Sequence, residues 1–73
     1  MSKTQLTVPG ISCEHCKRSV LSTLTPIAGV RSVDVDVPTK RVVVEYDETV
    51  VDLDRLKAAL AEEDYPVAAA QPA

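Results

Sequence analysis

An α+β fold, with two helices on one face of a four-stranded antiparallel sheet, is predicted for this 73-residue chain by three observations. Three segments alternate apolar and polar residues with the period of two expected of half-buried strands. Two others repeat apolar residues every three or four positions, as amphipathic helices do. The strand-like and helix-like segments are punctuated by Pro, Gly and Asp at their junctions.

The first strand runs from Lys3 to Pro9, where Leu6 and Val8 share one side and Gln5 and Thr7 the other. Pro9-Gly10 breaks it. From about Glu14 the spacing changes: Cys16, Val20, Leu24 and Ile27 form a helical stripe, Ser12 is a candidate N-cap, and Pro26 and Gly29 mark the end. Val33, Val35 and Val37 then alternate with Asp34 and Asp36 in a second strand over 30–37. Pro38-Thr39 turns the chain into Arg41–Asp47, where Val42, Val44 and Tyr46 face one way, so the two strands form a hairpin.

Asp52 caps a second helix carrying Leu53, Leu56 and Leu60 on one face and Arg55, Lys57, Glu62 and Glu63 toward water. With no Gly at its end, Asp64 is the residue expected to take the left-handed conformation there. Tyr65–Ala69 is expected as a short last strand, with Pro66 at its start, and residues 70–73 as a frayed tail. The order βαββαβ is the split, ferredoxin-like arrangement. Residues 1–73 make one domain, and its core is aliphatic because the chain has no Phe or Trp.

Hydrophobic residues make up 45% of the chain and charged ones 26%, a globular balance. The net charge is -3 and Lys and Arg never cluster beyond the pairs Lys17-Arg18 and Lys40-Arg41, which argues against nucleic acid as a partner. The N-terminus lacks the apolar core of a secretory signal and no apolar run is long enough to span a bilayer, so a soluble, cytoplasmic protein without membrane insertion is expected.

The segment Gly10-Ile11-Ser12-Cys13-Glu14-His15-Cys16 holds both cysteines and the only histidine. A disulfide across two intervening residues restrains little of the unfolded chain, so the pair is better explained by chemistry. A helix starting within a CxxC brings both sulfurs within reach of one ion, and its N-terminus favours the thiolate. Structural zinc sites want four ligands and iron–sulfur clusters usually four cysteines, which one such pair does not provide. Soft thiolates suit Cu(I), and two sulfurs can hold a monovalent copper or a mercury ion in a near-linear, open arrangement. A small thiol oxidoreductase is the alternative from another class. It is disfavoured by the chain length, the element order and the absence of a Trp-Cys-Gly-Pro-Cys type loop.

The run Val8-Pro9-Gly10-Ile11-Ser12-Cys13-Glu14-His15-Cys16 resembles the metal-binding loop of the heavy-metal-associated domain family, which includes bacterial copper chaperones. Gly29–Asp36 resembles the family's second strand, Val42–Asp47 its third, and Leu56–Leu60 leading to Tyr65 its second helix and following loop. The resemblance implies a carrier rather than an enzyme. Cys13 and Cys16 would bind Cu(I) and pass it by thiolate exchange to a copper-transporting P-type ATPase. It implies that Tyr65 packs beside the loop, and that Ile11 packs beneath it where the family usually has Met. Asp64 stands where the family usually has Gly, which puts a carboxylate close to the site.

Relatives that prefer zinc or cadmium tend to carry an acidic residue before the first cysteine, and Ser12 there leans toward copper. Hg(II) and Zn(II) remain alternatives, as does an excised transporter domain, although a start at Met1 and a stop soon after the last strand favour a free-standing protein. His15 is read as a solvated side chain with the capacity to act as an extra ligand. Lys17 and Arg18 are helix-face charges placed to steer docking onto an acidic partner. The apo protein is expected as a monomer, and two open CxxC sites sharing ions would give a metal-bridged homodimer.

Overall fold

The computed structural model describes residues 2–73. Its elements follow the expected order: β1 (Ser2–Thr7), α1 (Glu14–Leu24), β2 (Val30–Asp36), β3 (Arg41–Tyr46), α2 (Leu53–Glu62) and β4 (Ala69–Pro72). The strands form one antiparallel sheet in the order β2-β3-β1-β4, so each helix carries the chain across a strand before it rejoins the sheet. Both helices contribute side chains to a single core against the inward face, where β1 supplies Leu6, β3 supplies Val42, Val44 and Tyr46, α1 supplies Val20 and Leu24, and α2 supplies Leu56 and Leu60. Val8 and Ile11, just beyond β1, are fully buried in the same core and tie the cysteine loop to it.

Four local details differ from the expectations. The N-cap of α1 is Cys13, in extended conformation and without a side-chain cap bond, not Ser12. The helix ends at Leu24, so Ile27 joins the core from the turn that follows. A bulge between Val30 and Ser32 shifts the β2–β3 register, which brings Val30 opposite Tyr46 while Val33 stays opposite Val44. Simple alternation counted back from Val33 would have turned Val30 to the other face.

The last strand and tail need the largest correction: β4 lies at Ala69–Pro72 rather than at 65–69, and the residues expected to fray are paired with β1, Gln5 opposite Gln71 and Thr4 opposite Pro72. The physical reason lies in the α2 terminus. Asp64 does take a left-handed conformation, with φ of 65°. Its N–H donates to Ala61 (3.1 Å) and that of Tyr65 to Leu60 (2.9 Å), a Schellman closure that folds Tyr65 back onto the helix end. Residues 65–68 are then used in crossing from helix to sheet. Pro72 is tolerated because β4 is an edge strand.

Two turns constrain the ends of the hairpin. Gly29 has φ of +93°, and a Cβ there would stand 2.8 Å from Val51 Cγ1, so both the conformation and the close approach require glycine. At the other end Lys40 closes the β2–β3 turn, its N–H donating to Val37 (3.2 Å), with φ of 58°. Asp52 caps α2 as expected, accepting from the Arg55 N–H at 2.8 Å.

Candidate metal centre

The cysteine loop is built between two fixed points. Val8 is anchored in the core, and the Ile11 N–H returns to the Val8 carbonyl at 3.2 Å, so Pro9-Gly10 makes a tight turn above a buried aliphatic pair. Beyond Ile11 the chain surfaces: Ser12, Cys13, Glu14 and His15 are exposed, while Cys16, in the first turn of α1, is half-buried against the core. The backbone of the helix start is sound, since the Lys17 N–H donates to the Cys13 carbonyl at 3.1 Å.

The two sulfurs lie 3.5 Å apart, with the Cys13 thiol donating to Cys16. This is far beyond the roughly 2.05 Å of a disulfide, so both are free thiols. Ser12 Oγ is 4.0 Å from Cys16 Sγ. Among the described residues no group of three or more His, Cys, Asp and Glu side chains gathers as a metal site. The site's own donors are the two sulfurs.

The Cys16 thiol is acidified by its surroundings. Hydrogen bonding from the Ser12 backbone, then from the Tyr65 hydroxyl and the Cys13 thiol, outweighs partial desolvation and lowers its pKa to about 6. The alignment of α1 with its free first-turn N–H groups toward the loop favours the same charge. The Tyr65 phenol shifts the other way, held protonated chiefly by its hydrogen bond to Cys16, while Ser19 opposes that shift. The Tyr65 ring also lies over the loop, because a Cβ on Gly10 would be 3.5 Å from Tyr65 Cδ1. Tyr65 thus stands beside the loop, and Ile11 is buried in the core where the loop begins.

His15 and Arg18 line a shallow groove with Ser19, Glu63 and Tyr65 on the flank of the loop. Arg18 is exposed there and Lys17 half-buried. A second hollow, lined by Pro26, Ile27, Val50 and Arg55 among others, lies at the far end of α1 from the cysteines. One residue that contacts the loop was not singled out from the sequence: Lys40, 29 positions from Ile11, donates its ammonium to the Ile11 carbonyl at 2.9 Å. Only its place next to Pro38-Thr39 in a turn hinted at it.

The thiolate has a measurable signature. Thiolate absorbance of the reduced apo protein is expected to rise for one sulfur with a midpoint near pH 6. Tyr65→Phe should move that midpoint upward by removing a donor. Because the folded value lies below the 9.0 of a free thiol, the unfolded chain binds more protons between the two. Apo stability should therefore increase with pH from about 6 to about 9, and the contribution should be lost as pH falls through 6. Denaturant midpoints across that range check it, and a flat profile would rule out the shifted thiol.

Residues 5–66 match the heavy-metal-associated domain family. The copper chaperone CopZ of Staphylococcus aureus (strain JH9) is 42% identical over 67 residues, 92% of this chain and 98% of the relative. A solved CopZ metallochaperone superposes with a TM-score of 0.87 at 41% identity, covering 90% of this chain and 98% of its own. A copper binding domain from HMA7, a P-type ATPase, gives a TM-score of 0.87 at 26% identity, covering 100% of this chain and 95% of that one. No described helix is long and apolar enough to cross a membrane. On the match over most of its length, the chain belongs to the heavy-metal-associated domain family.

Proposed function

We propose that the protein is a copper(I) metallochaperone: Cys13 and Cys16 hold one Cu(I) as thiolates and hand it to the CxxC domain of a copper-transporting P-type ATPase. The observation that carries this reading is the pair of free sulfurs 3.5 Å apart on an exposed loop, one of them stabilised as thiolate near pH 6. It is supported by the relative from Staphylococcus aureus, which is named as a copper chaperone. The transfer is an exchange, not a turnover. An incoming partner thiol loses its proton as it bonds to copper, one copper–sulfur bond of the donor breaks, and the released thiolate takes up a proton. Repeating the step moves the ion without setting it free.

Loading requires a small movement. Metal–thiolate bonds of about 2.3 Å, the value for zinc, would separate two sulfurs in a linear arrangement by about 4.6 Å. That is about 1 Å more than the apo spacing of 3.5 Å, and the exposed Cys13 is the side chain free to swing outward. Cys16, half-buried at the helix start, stays put. Arg18, exposed beside the loop, serves docking of an acidic partner face, with Lys17 nearby. The apo protein is a monomer, and Cu(I) shared between two loops bridges a homodimer at high loading.

The test is anaerobic transfer. The Cu(I)-loaded protein is mixed with a reduced CxxC domain of a copper-transporting ATPase in the presence of a chromogenic Cu(I) chelator. Copper is expected to reach the domain with little chelator colour. Copper that passes first to the chelator, or a protein that takes up Hg(II) or Zn(II) tightly while losing Cu(I) to a weak chelator, would overturn the reading.

A further inference from the structure

Lys40 grips the cysteine loop from a different part of the chain, and it does so from an unfavourable backbone conformation. Its φ of 58° lies in the left-handed region, which turn positions usually give to Gly or Asn, so a lysine here needs a reason beyond the turn. Both ends of the residue are engaged. Its carbonyl accepts from the Val8 N–H at 2.9 Å, and its ammonium donates to the Ile11 carbonyl at 2.9 Å. Together with the bond from the Ile11 N–H to the Val8 carbonyl, these contacts close residues 8–11 on three sides.

The Ile11 carbonyl belongs to the peptide that ends in the Ser12 N–H. The described residues contain no cis peptide, so the two groups point in opposite directions across one rigid plane. Fixing the carbonyl toward Lys40 therefore also fixes where the N–H points, and Ser12 stands against the Cys16 sulfur, its Oγ 4.0 Å away. A cation on the carbonyl end also polarises the amide and strengthens its donor end, as in any chain of hydrogen bonds. Ile11 contributes the third restraint, since its side chain is fully buried and the plane has little freedom to rotate about it.

We propose that Lys40 is a positioning residue for metal uptake, its ammonium holding the Ile11–Ser12 peptide so that the Ser12 N–H is presented to the Cys16 sulfur. The clamp on the loop stands apart from the copper-binding reading, and its role in uptake rests on that reading. It makes the β2–β3 turn part of the metal site, although that turn contributes no ligand.

The variants are Lys40→Met, Lys40→Gly and Lys40→Arg, and two measurements are made on each. Amide hydrogen exchange at Ser12 and Cys13 of the reduced apo protein reports the clamp without any metal, and competition for Cu(I) against a chelator reports uptake. Lys40→Gly separates the clamp from stability, because glycine suits φ of 58° and loses only the side chain. In Lys40→Met and Lys40→Gly, exchange is expected to accelerate at Ser12 and Cys13 but not in β1 or β3. Cu(I) affinity should fall about 10-fold or more, within the range that follows loss of support around a metal ligand. Lys40→Arg should restore both.

Unchanged exchange in Lys40→Met and Lys40→Gly would overturn the clamp, and faster exchange with affinity within about twofold of the parent would overturn its role in uptake. If the parent protein fails to bind Cu(I), the copper reading falls, while the exchange measurement still decides whether Lys40 holds the loop.

Discussion

Cys16→Ser is expected to lower Cu(I) affinity by more than the roughly 10–100-fold that loss of a supporting contact around a metal ligand costs. The substitution replaces a soft thiolate by a hard hydroxyl that stays protonated at neutral pH, so it removes a ligand and a charge together. Cys13→Ser should have a loss of the same order, since the described loop gathers no third side chain to take its place. The two single variants differ in what they leave behind. Cys13→Ser retains the Cys16 thiolate, with its Tyr65 and Ser12 donors, whereas Cys16→Ser retains only the exposed Cys13. The double variant should fail to compete with even a weak chelator. His15→Ala should remain within a few-fold of the parent, because His15 is exposed and belongs to no cluster of ligating side chains among the described residues. Anaerobic competition at fixed pH measures all four, and a histidine variant as weak as the cysteine variants would mean that the ligand set is larger than two sulfurs.

The second large effect separates the loop's foundation from the core at large. Ile11→Ala and Leu24→Ala each remove a side chain that is fully buried, and each should cost about 2–5 kcal/mol of stability. For a chain of this length total stability is expected at about 4–11 kcal/mol, so either loss is a large fraction of the whole. A loss of 3 kcal/mol corresponds to a fall in Tm of about 12–24 °C. Their effects on metal binding should diverge. Leu24 lies at the C-terminal end of α1, away from the cysteines at its start, and should leave the Cu(I) affinity of the folded molecules close to that of the parent. Ile11 lies directly beneath Ser12 and Cys13, and its truncation frees the peptide that Lys40 holds, so affinity should fall with stability. Thermal denaturation of the apo proteins, paired with chelator competition below both transitions, checks this. Equal affinity losses in the two variants would show that the site responds to general destabilisation instead of to its own floor.

Much of the fold is legible in the sequence because its signals are local and periodic. Alternation placed β1 and β3 with the correct inward faces, and the helical stripe and Asp52 placed α2 from its first residue. Asp64 could be assigned its left-handed conformation because the α2 stripe ends without a glycine. The misplaced last strand shows where such reasoning stops. Residues 65–69 have suitable composition for a strand, but their use is decided by the distance from the Schellman turn to the edge of β1, which no window of sequence contains. The bulge at Val30–Ser32 is similar, since it is visible only once β2 is paired with β3.

For the site, the sequence alone picked out the candidate ligands and the chemistry they offer, two cysteines at CxxC spacing on a loop running into a helix, while Ile11 and Tyr65 entered through the family resemblance. Thiolate softness and ligand number are properties of residue type and spacing, so they survive without a structure. The tertiary structure decided what surrounds those ligands. It put Tyr65 and the Ser12 backbone on the Cys16 sulfur, made Cys13 the exposed partner, and brought Lys40 from the β2–β3 turn to the Ile11 carbonyl. These contacts join residues 12 with 16 and 65, and 11 with 40. Hydrogen bonds at such separations depend on sheet register and helix packing, which local pattern does not encode.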